Sequence, residues 1–443
     1  MNTPEPSARN PEYAAFVSLD WADQEHAWAL RLDASATVEQ GVLKNTPEAV
    51  EEWARKLAQR FGGRPVAVAL EQRRGAVIAM LTKYAHLVIY PIHPSTLAHY
   101  RKGFYPSGAK SDPGDTLLQL ELLVRHRDRL TELKPDTVET RKLQFLVEYR
   151  RKLVNDKTAY SNQLTGWLKQ IFPQVLRWFE DPAAPIVSEF LKRWPTLEQL
   201  RRARTRTVQE FFREHNSRSE ERIQERLAGI KLAVPATNDE ALLGAGRVAV
   251  QGLVRLLDQL RHSIARCEEE IRQTAEAHPD FAIIDSFPGA GPVMAPRLLA
   301  ALGTQRERFG SASDLQCYTG IAPVVARSGK QCWVHWRWAC PKFVRQTVHE
   351  WAQHSMKKCG WARDYYQRQR DNNKSHHAAI RALAFKWLRI LYKCWQDRTP
   401  YEEARYLASQ AHRATPRPVL QPDGLKIQWK SVAGFLKAEQ NSA

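Results

Sequence analysis

The sequence predicts two architectures in one chain: a mixed α/β domain at the N-terminus, followed by a long and mainly helical remainder. Short apolar runs alternate with helix-period segments over the first 110 residues. From residue 112 onward, apolar positions recur three and four apart over long stretches. At 443 residues the chain also exceeds the size of one ordinary domain.

Residues 14–20 form an apolar run that ends in an acid, and residues 27–33 alternate like a half-buried strand. Residues 38–43 read as a third strand, and Thr46 is an N-cap signal for a helix through residue 61. Residues 65–71 repeat the first pattern, apolar and closing on an acid. Residues 74–85 then read as a helix and 87–92 as a fifth strand. That order describes a mixed sheet flanked by helices.

Beyond the sheet, amphipathic segments cover 113–127 and 137–171, and 180–235 mixes proline breaks with basic clusters. Val250, Leu253, Leu257, Leu260, Ile264, Cys267 and Ile271 then fall three and four apart. This a/d seam predicts a coiled coil, between protomers or within one chain. The run from Phe287 through Pro292 reads as a hairpin between helices. Its Gly289 and Gly291 would let backbone N–H groups approach a phosphate. Helical segments continue to about 396, and a polar, proline-bearing tail follows. The expected domains are 1–130, a helical linker with a coiled coil at 131–278, a third at 279–400, and the tail at 401–443.

Charge is concentrated rather than spread. Residues 1–110 carry 13 Lys/Arg against 11 Asp/Glu, whereas residues 305–400 carry 18 against 6, a balance of +12. Seven of the 14 tryptophans lie in that basic stretch. Cations interleaved with aromatics suit a polyanion, through phosphate neutralisation and base stacking. The six cysteines contain no CxxC pair, so neither a disulfide framework nor a zinc ribbon is indicated, and no zinc is assigned to Cys332, His335 and Cys340. No apolar run reaches the roughly 18 residues of a membrane span, and residues 1–11 lack a secretory core. A cytoplasmic protein is expected.

Four acids stand out by position. Asp20 and Glu71 each close an apolar strand, and Asp112 and Asp115 lie three apart at a helix start, on one face. Carboxylates converging on one sheet end repel unless cations join them. Two Mg2+ ions about 3.5–4 Å apart would offset that repulsion and align the oxygens of a phosphodiester.

Several short motifs add to this pattern: Phe16-Val17-Ser18-Leu19-Asp20, Ala69-Leu70-Glu71 and Lys110-Ser111-Asp112-Pro113-Gly114-Asp115. Downstream come Pro288-Gly289-Ala290-Gly291-Pro292, Gly320-Ile321-Ala322-Pro323 and Arg327-Ser328-Gly329-Lys330. In this order the chain resembles the DEDD transposases of the insertion-sequence "one-ten" family over most of residues 14–395. The resemblance implies an RNase H-like (RuvC-like) N-terminal domain, a coiled-coil linker and a mainly helical C-terminal transposase domain bearing a serine. It implies that Asp20, Glu71, Asp112 and Asp115 bind Mg2+ and that Ser328 is a nucleophile. Arg327, Lys330, Arg337, Lys342 and Arg345 become candidate nucleic-acid contacts. The implied partners are DNA (element ends and target), a structured guide RNA called the bridge RNA, and further copies of the chain as a dimer or tetramer, near the nucleoid. Thr116 departs from the small residue usual after the last acid, and Cys340 to Arg345 departs from the family's usual run. Without the resemblance, the carboxylates fit a Holliday-junction-type endonuclease equally well. The composition alone also fits a non-catalytic nucleic-acid-binding protein.

Overall fold

The computed structural model describes residues 13–32, 35–104, 112–215, 219–329 and 331–414. They form two compact units, divided after Pro135.

In the first unit, β1 (Ala15–Asp20), β2 (Glu25–Leu32), β3 (Val38–Lys44), β4 (Val66–Leu70) and β5 (Leu87–Pro91) make one sheet in the order β3-β2-β1-β4-β5. β2 and β3 pair antiparallel as a meander, while β1, β4 and β5 run parallel. The parallel strands are covered on both faces, which is why β4 reads Val-Ala-Val-Ala-Leu with every residue buried. On one face, Val17, Leu19, Val66, Val68 and Leu70 pack under α1 (Pro47–Arg60) and α2 (Ala76–Leu81). Thr46 caps α1 by accepting from Ala49 N, as its sequence signal predicts. On the other face Phe16, Ala29, Ala67 and Ala69 lie beneath α4 (Asp112–His126), and the three alanines let that helix approach closely. The sheet with its helices is the RNase H-like fold that the resemblance implies.

The helix α3 (Pro94–Phe104) was not foreseen, because among its described side chains Leu97 is the one fully buried apolar residue and a lone position sets no period. The helix expected over 74–85 is shorter, since Gly75 at φ +124° precedes it and Thr82 ends it.

The second unit is built on two long helices, α5 (Val138–Ile171) and α11 (Glu240–Glu276). They run antiparallel: Lys142 pairs with Glu270 at 2.9 Å, and Gly246 faces Ile171 at the opposite ends. A Cβ on Gly246 would lie 2.8 Å from Ile171 Cδ1, so glycine sets the approach there. The shorter helices α6 to α10, within 175–232, gather Phe172, Phe190, Phe211 and Phe212 into one core with these two helices. A second core joins the other ends of α5 and α11 to α12 (Phe281–Asp285), α13 (Gly291–Leu302), α14 (Ala312–Tyr318), α15 (Lys342–Ser355), α16 (Gly360–Asp371), α17 (His376–Asp397) and α18 (Glu403–Ala414). Thus α5 and α11 pass through both cores, with no break in packing at 278.

Five positions of the a/d seam pack within the chain, one of the two expected alternatives: Val250, Leu253 and Leu257 enter the first core of this unit, and Cys267 and Ile271 the second. One sequence expectation needs correction here. The stretch expected to be helical to 396 also contains a hairpin, β6 (Val324–Ser328) and β7 (Gln331–His335). All five β6 residues are exposed, so no inward-facing apolar alternation announced it.

Because Leu257 is fully buried inside its own chain, Leu257→Ala should lower the unfolding free energy by about 2–5 kcal/mol in a urea titration. Light scattering should show the folded variant at the same mass as the unmodified protein. A change of mass with unchanged stability would restore the seam to an interface between copies.

Candidate active site

The β1–β4 register brings the first two acids together. Ser18 opposite Ala69 is the last pair between these parallel strands; Asp20 ends β1 and Glu71 directly follows β4, so both acids lie at the same end of neighbouring strands. Strand alternation puts Asp20 on the face of Phe16 and Ser18, and Glu71 on that of Ala67 and Ala69. Both are half-buried and lie on the α4 side, at the C-terminal edge of the parallel strands. In open sheets with parallel strands, this edge is where ligands bind.

The first turn of α4 is tied to that edge. Ser18 Oγ donates to the Thr116 carbonyl at 2.7 Å, both residues being buried. That hydrogen bond holds Asp115, itself 4% exposed, beside the strand that ends in Asp20. Asp115 is not alone. Arg101 on α3 donates to its Oδ1, with Nε at 2.7 Å and a terminal nitrogen at 2.5 Å. Asp112 opens α4, and its side chain lies outside the described residues.

Three of the four acids therefore stand at one edge on one face. Among the described residues, however, no three His, Cys, Asp or Glu side chains are grouped so as to hold a metal ion. By donor type alone, carboxylates at two neighbouring strand ends, with a third on a helix hydrogen-bonded to β1, are what a hard divalent cation takes. Arg101 places a positive charge on Asp115, so this carboxylate is neutralised by the chain itself. Arg101 and Ser18 were both missed by the sequence reading. Ser18 lay, without an assigned role, inside the Phe16–Asp20 motif and Arg101 in no motif, because each acts through a tertiary partner that local sequence does not mark.

The serine stands in the second unit. Ser328 ends β6 opposite Gln331, at the exposed tip of the hairpin, and the turn starts with Gly329 at φ +55°. Among the described residues its hydroxyl makes no side-chain hydrogen bond. Arg327 beside it is exposed, and Lys330 lies outside the described residues.

The other candidate contacts divide. Lys342 is exposed at the start of α15. Arg337 and Arg345 face inward and hold the loop after β7: Arg337 Nε donates to the Ala322 carbonyl at 3.1 Å, and Arg345 donates to the Arg337 carbonyl at 3.2 Å. Gly289 has a packing duty, because a Cβ there would lie 2.6 Å from Ser355 N at the end of α15. Gly291, at φ +53° with open space around it, begins α13. The adjoining Pro292 and Val293 line a cavity of about 360 Å³ with Arg150, Arg151, Arg272 and Arg297. These arginines already pair with Glu268, Glu350 and Glu269.

The basic stretch also divides by tryptophan. Trp351, Trp387 and Trp395 are fully buried, their indole N–H groups donating to the Pro288 carbonyl, Ser355 Oγ and Asp280 Oδ2. These three are core residues, and only part of the aromatic signal remains for a ligand.

Comparison with known proteins places both units. The DEDD-type IS110 family model, described as Transposase, matches residues 17–173, and the model described as Transposase IS116/IS110/IS902 family matches residues 282–367. The mini-circle protein of Streptomyces coelicolor named as a transposase for IS117 is 26% identical over 402 residues, covering 89% of this chain and 96% of its own. The 43.6 kDa protein of insertion element IS110, also from Streptomyces coelicolor, is 27% identical over 401 residues, covering 88% and 96%. The 42 kDa protein of insertion element IS900 from Mycobacterium paratuberculosis is 25% identical over 406 residues, covering 89% and 98%.

The Arg101–Asp115 pair is testable without any nucleic acid. Both side chains are largely removed from water, at 16% and 5% exposure. Arg101→Gln leaves a buried carboxylate without its counter-charge, so the first unit should lose about 3 kcal/mol of stability at neutral pH. Thermal denaturation followed by circular dichroism measures this, and an unchanged transition would show the pair to be energetically idle.

Proposed function

Since the chain belongs to the DEDD transposase family of insertion elements such as IS110, we propose that it excises and inserts a mobile DNA element through the carboxylates of its sheet edge and the serine of its hairpin. The observation that supports this reading is that Asp20 and Glu71 lie at the same end of two neighbouring parallel strands, with the first turn of α4, which carries Asp115, tied to β1 through Ser18 and Thr116.

In this reading Asp20, Glu71, Asp112 and Asp115 hold divalent cations, with two Mg2+ ions the natural choice for four oxygen donors. Bound there, the cations would polarise a phosphodiester and neutralise charge developing on its oxygens. The role of the chain is to set the donors before DNA arrives. Asp20 is fixed by its pairing with β2, Glu71 directly follows β4, and Asp115 stands on a helix anchored on β1. Arg101 keeps Asp115 neutralised while no cation is present.

Ser328 is assigned the nucleophile's role. Its Oγ forms a bond to phosphorus, one P–O bond of the DNA strand breaks, and the leaving oxygen takes up a proton. A serine hydroxyl needs help to lose its own proton, and no described side chain in the hairpin offers it, so activation is assigned to the DNA-bound assembly. Arg327 and Lys330 flank Ser328 in sequence and would steady the charged phosphoryl group. The exposed tip, with glycine in the turn, suits close approach of a strand.

Two partners complete the proposal: a structured guide RNA that selects the DNA sites, and other copies of this chain. The family resemblance motivates both, and the balance of +12 over 305–400 supports polyanion binding. Among the described residues no helix is long and apolar enough to cross a membrane.

Asp20→Asn and Glu71→Gln should each reduce metal-dependent DNA cleavage by more than about 100-fold while leaving the fold intact, since each removes a ligand's charge. Near-normal activity in both variants sinks the carboxylate reading. On a suicide DNA substrate, the unmodified protein should form a protein–DNA adduct visible on a denaturing gel, and Ser328→Ala should not. Cleavage without an adduct in either protein would indicate direct hydrolysis, as in a junction endonuclease. Recoding the copurified RNA should redirect the DNA target, and a target that ignores the RNA removes the guide from the proposal.

A further inference from the structure

The packing of α15 against α17 brings together two arginines and two histidines that have no acid among them. Arg345 and His349 lie four apart on α15, and His377 and Arg381 four apart on α17, so each pair shares a helix face. The rings of His349 and His377 are 5.5 Å apart. The Arg381 guanidinium lies 4.0 Å from the centre of the Trp336 ring, and that of Arg345 lies 5.0 Å from the same ring. Among the described residues none of Arg337, Arg345 and Arg381 has a carboxylate within ion-pair distance, whereas the arginines around the cavity at α13 are all paired. Burial first, and then the neighbouring Arg345, hold the Arg381 guanidinium below its usual range. Burial also lowers His349, and the charged groups acting on it, His377, Arg381 and His376, are all basic. Like charges gathered in this way are costly unless an anion joins them.

Beside this seam stands an aromatic that no core requires. Trp338 is 75% exposed, with its ring 6.3 Å from that of Trp336 and the Arg345 guanidinium 6.0 Å from its centre. Trp336 has a buried indole N–H without a partner, whereas the three core tryptophans each have one. The loop presenting Trp338 is held by the Arg337–Ala322 and Arg345–Arg337 hydrogen bonds, so the ring is presented in advance. Exposed aromatic faces beside unpaired arginines are what an unpaired nucleotide binds, with its base stacked and its phosphate neutralised.

We propose that Trp338, Trp336, Arg345 and Arg381 form a site for one unpaired nucleotide of a DNA strand, with the base on Trp338 and the phosphate toward the two arginines. DNA is the source named because Trp336 and Trp338 directly follow β7 of the hairpin whose tip carries Ser328. The proposal therefore rests on the reading that this chain acts on DNA. The site would hold a strand opened near the serine, a task separate from that of the carboxylates.

The test is a binding measurement on the full-length protein, with single-stranded DNA carrying one 2-aminopurine, the matching duplex, and RNA of the same sequence. The unmodified protein should quench the 2-aminopurine of the single DNA strand. Trp338→Ala should weaken that binding roughly 10-fold, Trp338→Phe should recover most of it, and duplex affinity should change by less than about twofold. Trp338 is exposed, so its replacement leaves the fold in place. Equal loss on duplex and single strand, no loss at all, or a clear preference for the RNA would each overturn the site. Binding needs no cleavage, so Asp20→Asn protein should give the same quench. Failure of the catalytic reading would then remain distinguishable from failure of this one.

Discussion

The pairing of β1 with β4 is the constraint on which the first unit depends. Parallel neighbours need their side chains covered on both faces, and the two faces of this pair are treated differently. Large aliphatic residues on one side build the core under α1 and α2. Alanines and Ser18 on the other leave room for α4 to lie close and for Ser18 to reach the Thr116 carbonyl. A buried hydroxyl–carbonyl hydrogen bond contributes only about 1 kcal/mol net, but leaving either group unpaired costs more. It therefore fixes the height of α4 along β1, and with it the place of Asp115 relative to the strand ends.

That placement has an electrostatic cost which the chain itself offsets. Carboxylates at one sheet edge repel, and removing Asp115 from water adds to the penalty. Arg101 answers both, since its guanidinium reaches Asp115 from α3. Such a pair is a poor source of net stability but a good device for holding one conformation. The same logic appears with opposite sign between α15 and α17, where Arg345, His349, His377 and Arg381 gather without an acid. One cluster calls for cations and the other for an anion.

The second unit owes its form to a different constraint. Two helices of 34 and 37 residues cannot each be covered by solvent-facing polar residues alone, and they bury their seams on each other and on two separate cores. Aromatic packing dominates both cores: Phe190 contacts Phe172, Phe211, Phe212 and Trp194 in one, and Phe287 contacts Trp351, Trp387 and Tyr401 in the other. This explains why the tryptophan-rich basic stretch overstates its nucleic-acid surface when read as composition. Trp351, Trp387 and Trp395 are there for the core, and Trp338 is the one fully at the surface.

By itself the sequence determined the five strands of the first unit and helix α1, because apolar alternation and the Thr46 cap are local signals; α3 escaped it. It also singled out four acids as candidates, since Asp20 and Glu71 lie at strand ends and Asp112 and Asp115 at a helix start. The family was legible from the order of short motifs. Only the tertiary structure decided what those residues meet. The parallel pairing of β1 with β4, the reach of Arg101 to Asp115 and the hydrogen bond of Ser18 to Thr116 join positions with no local signature. The seam of α11 looks the same in sequence whether its partner is another copy or α5, because a heptad pattern encodes a buried face and not the identity of what buries it. Likewise β6 is exposed along its whole length, so alternation could not reveal it. The hairpin that carries Ser328 at its tip is set by strand pairing alone.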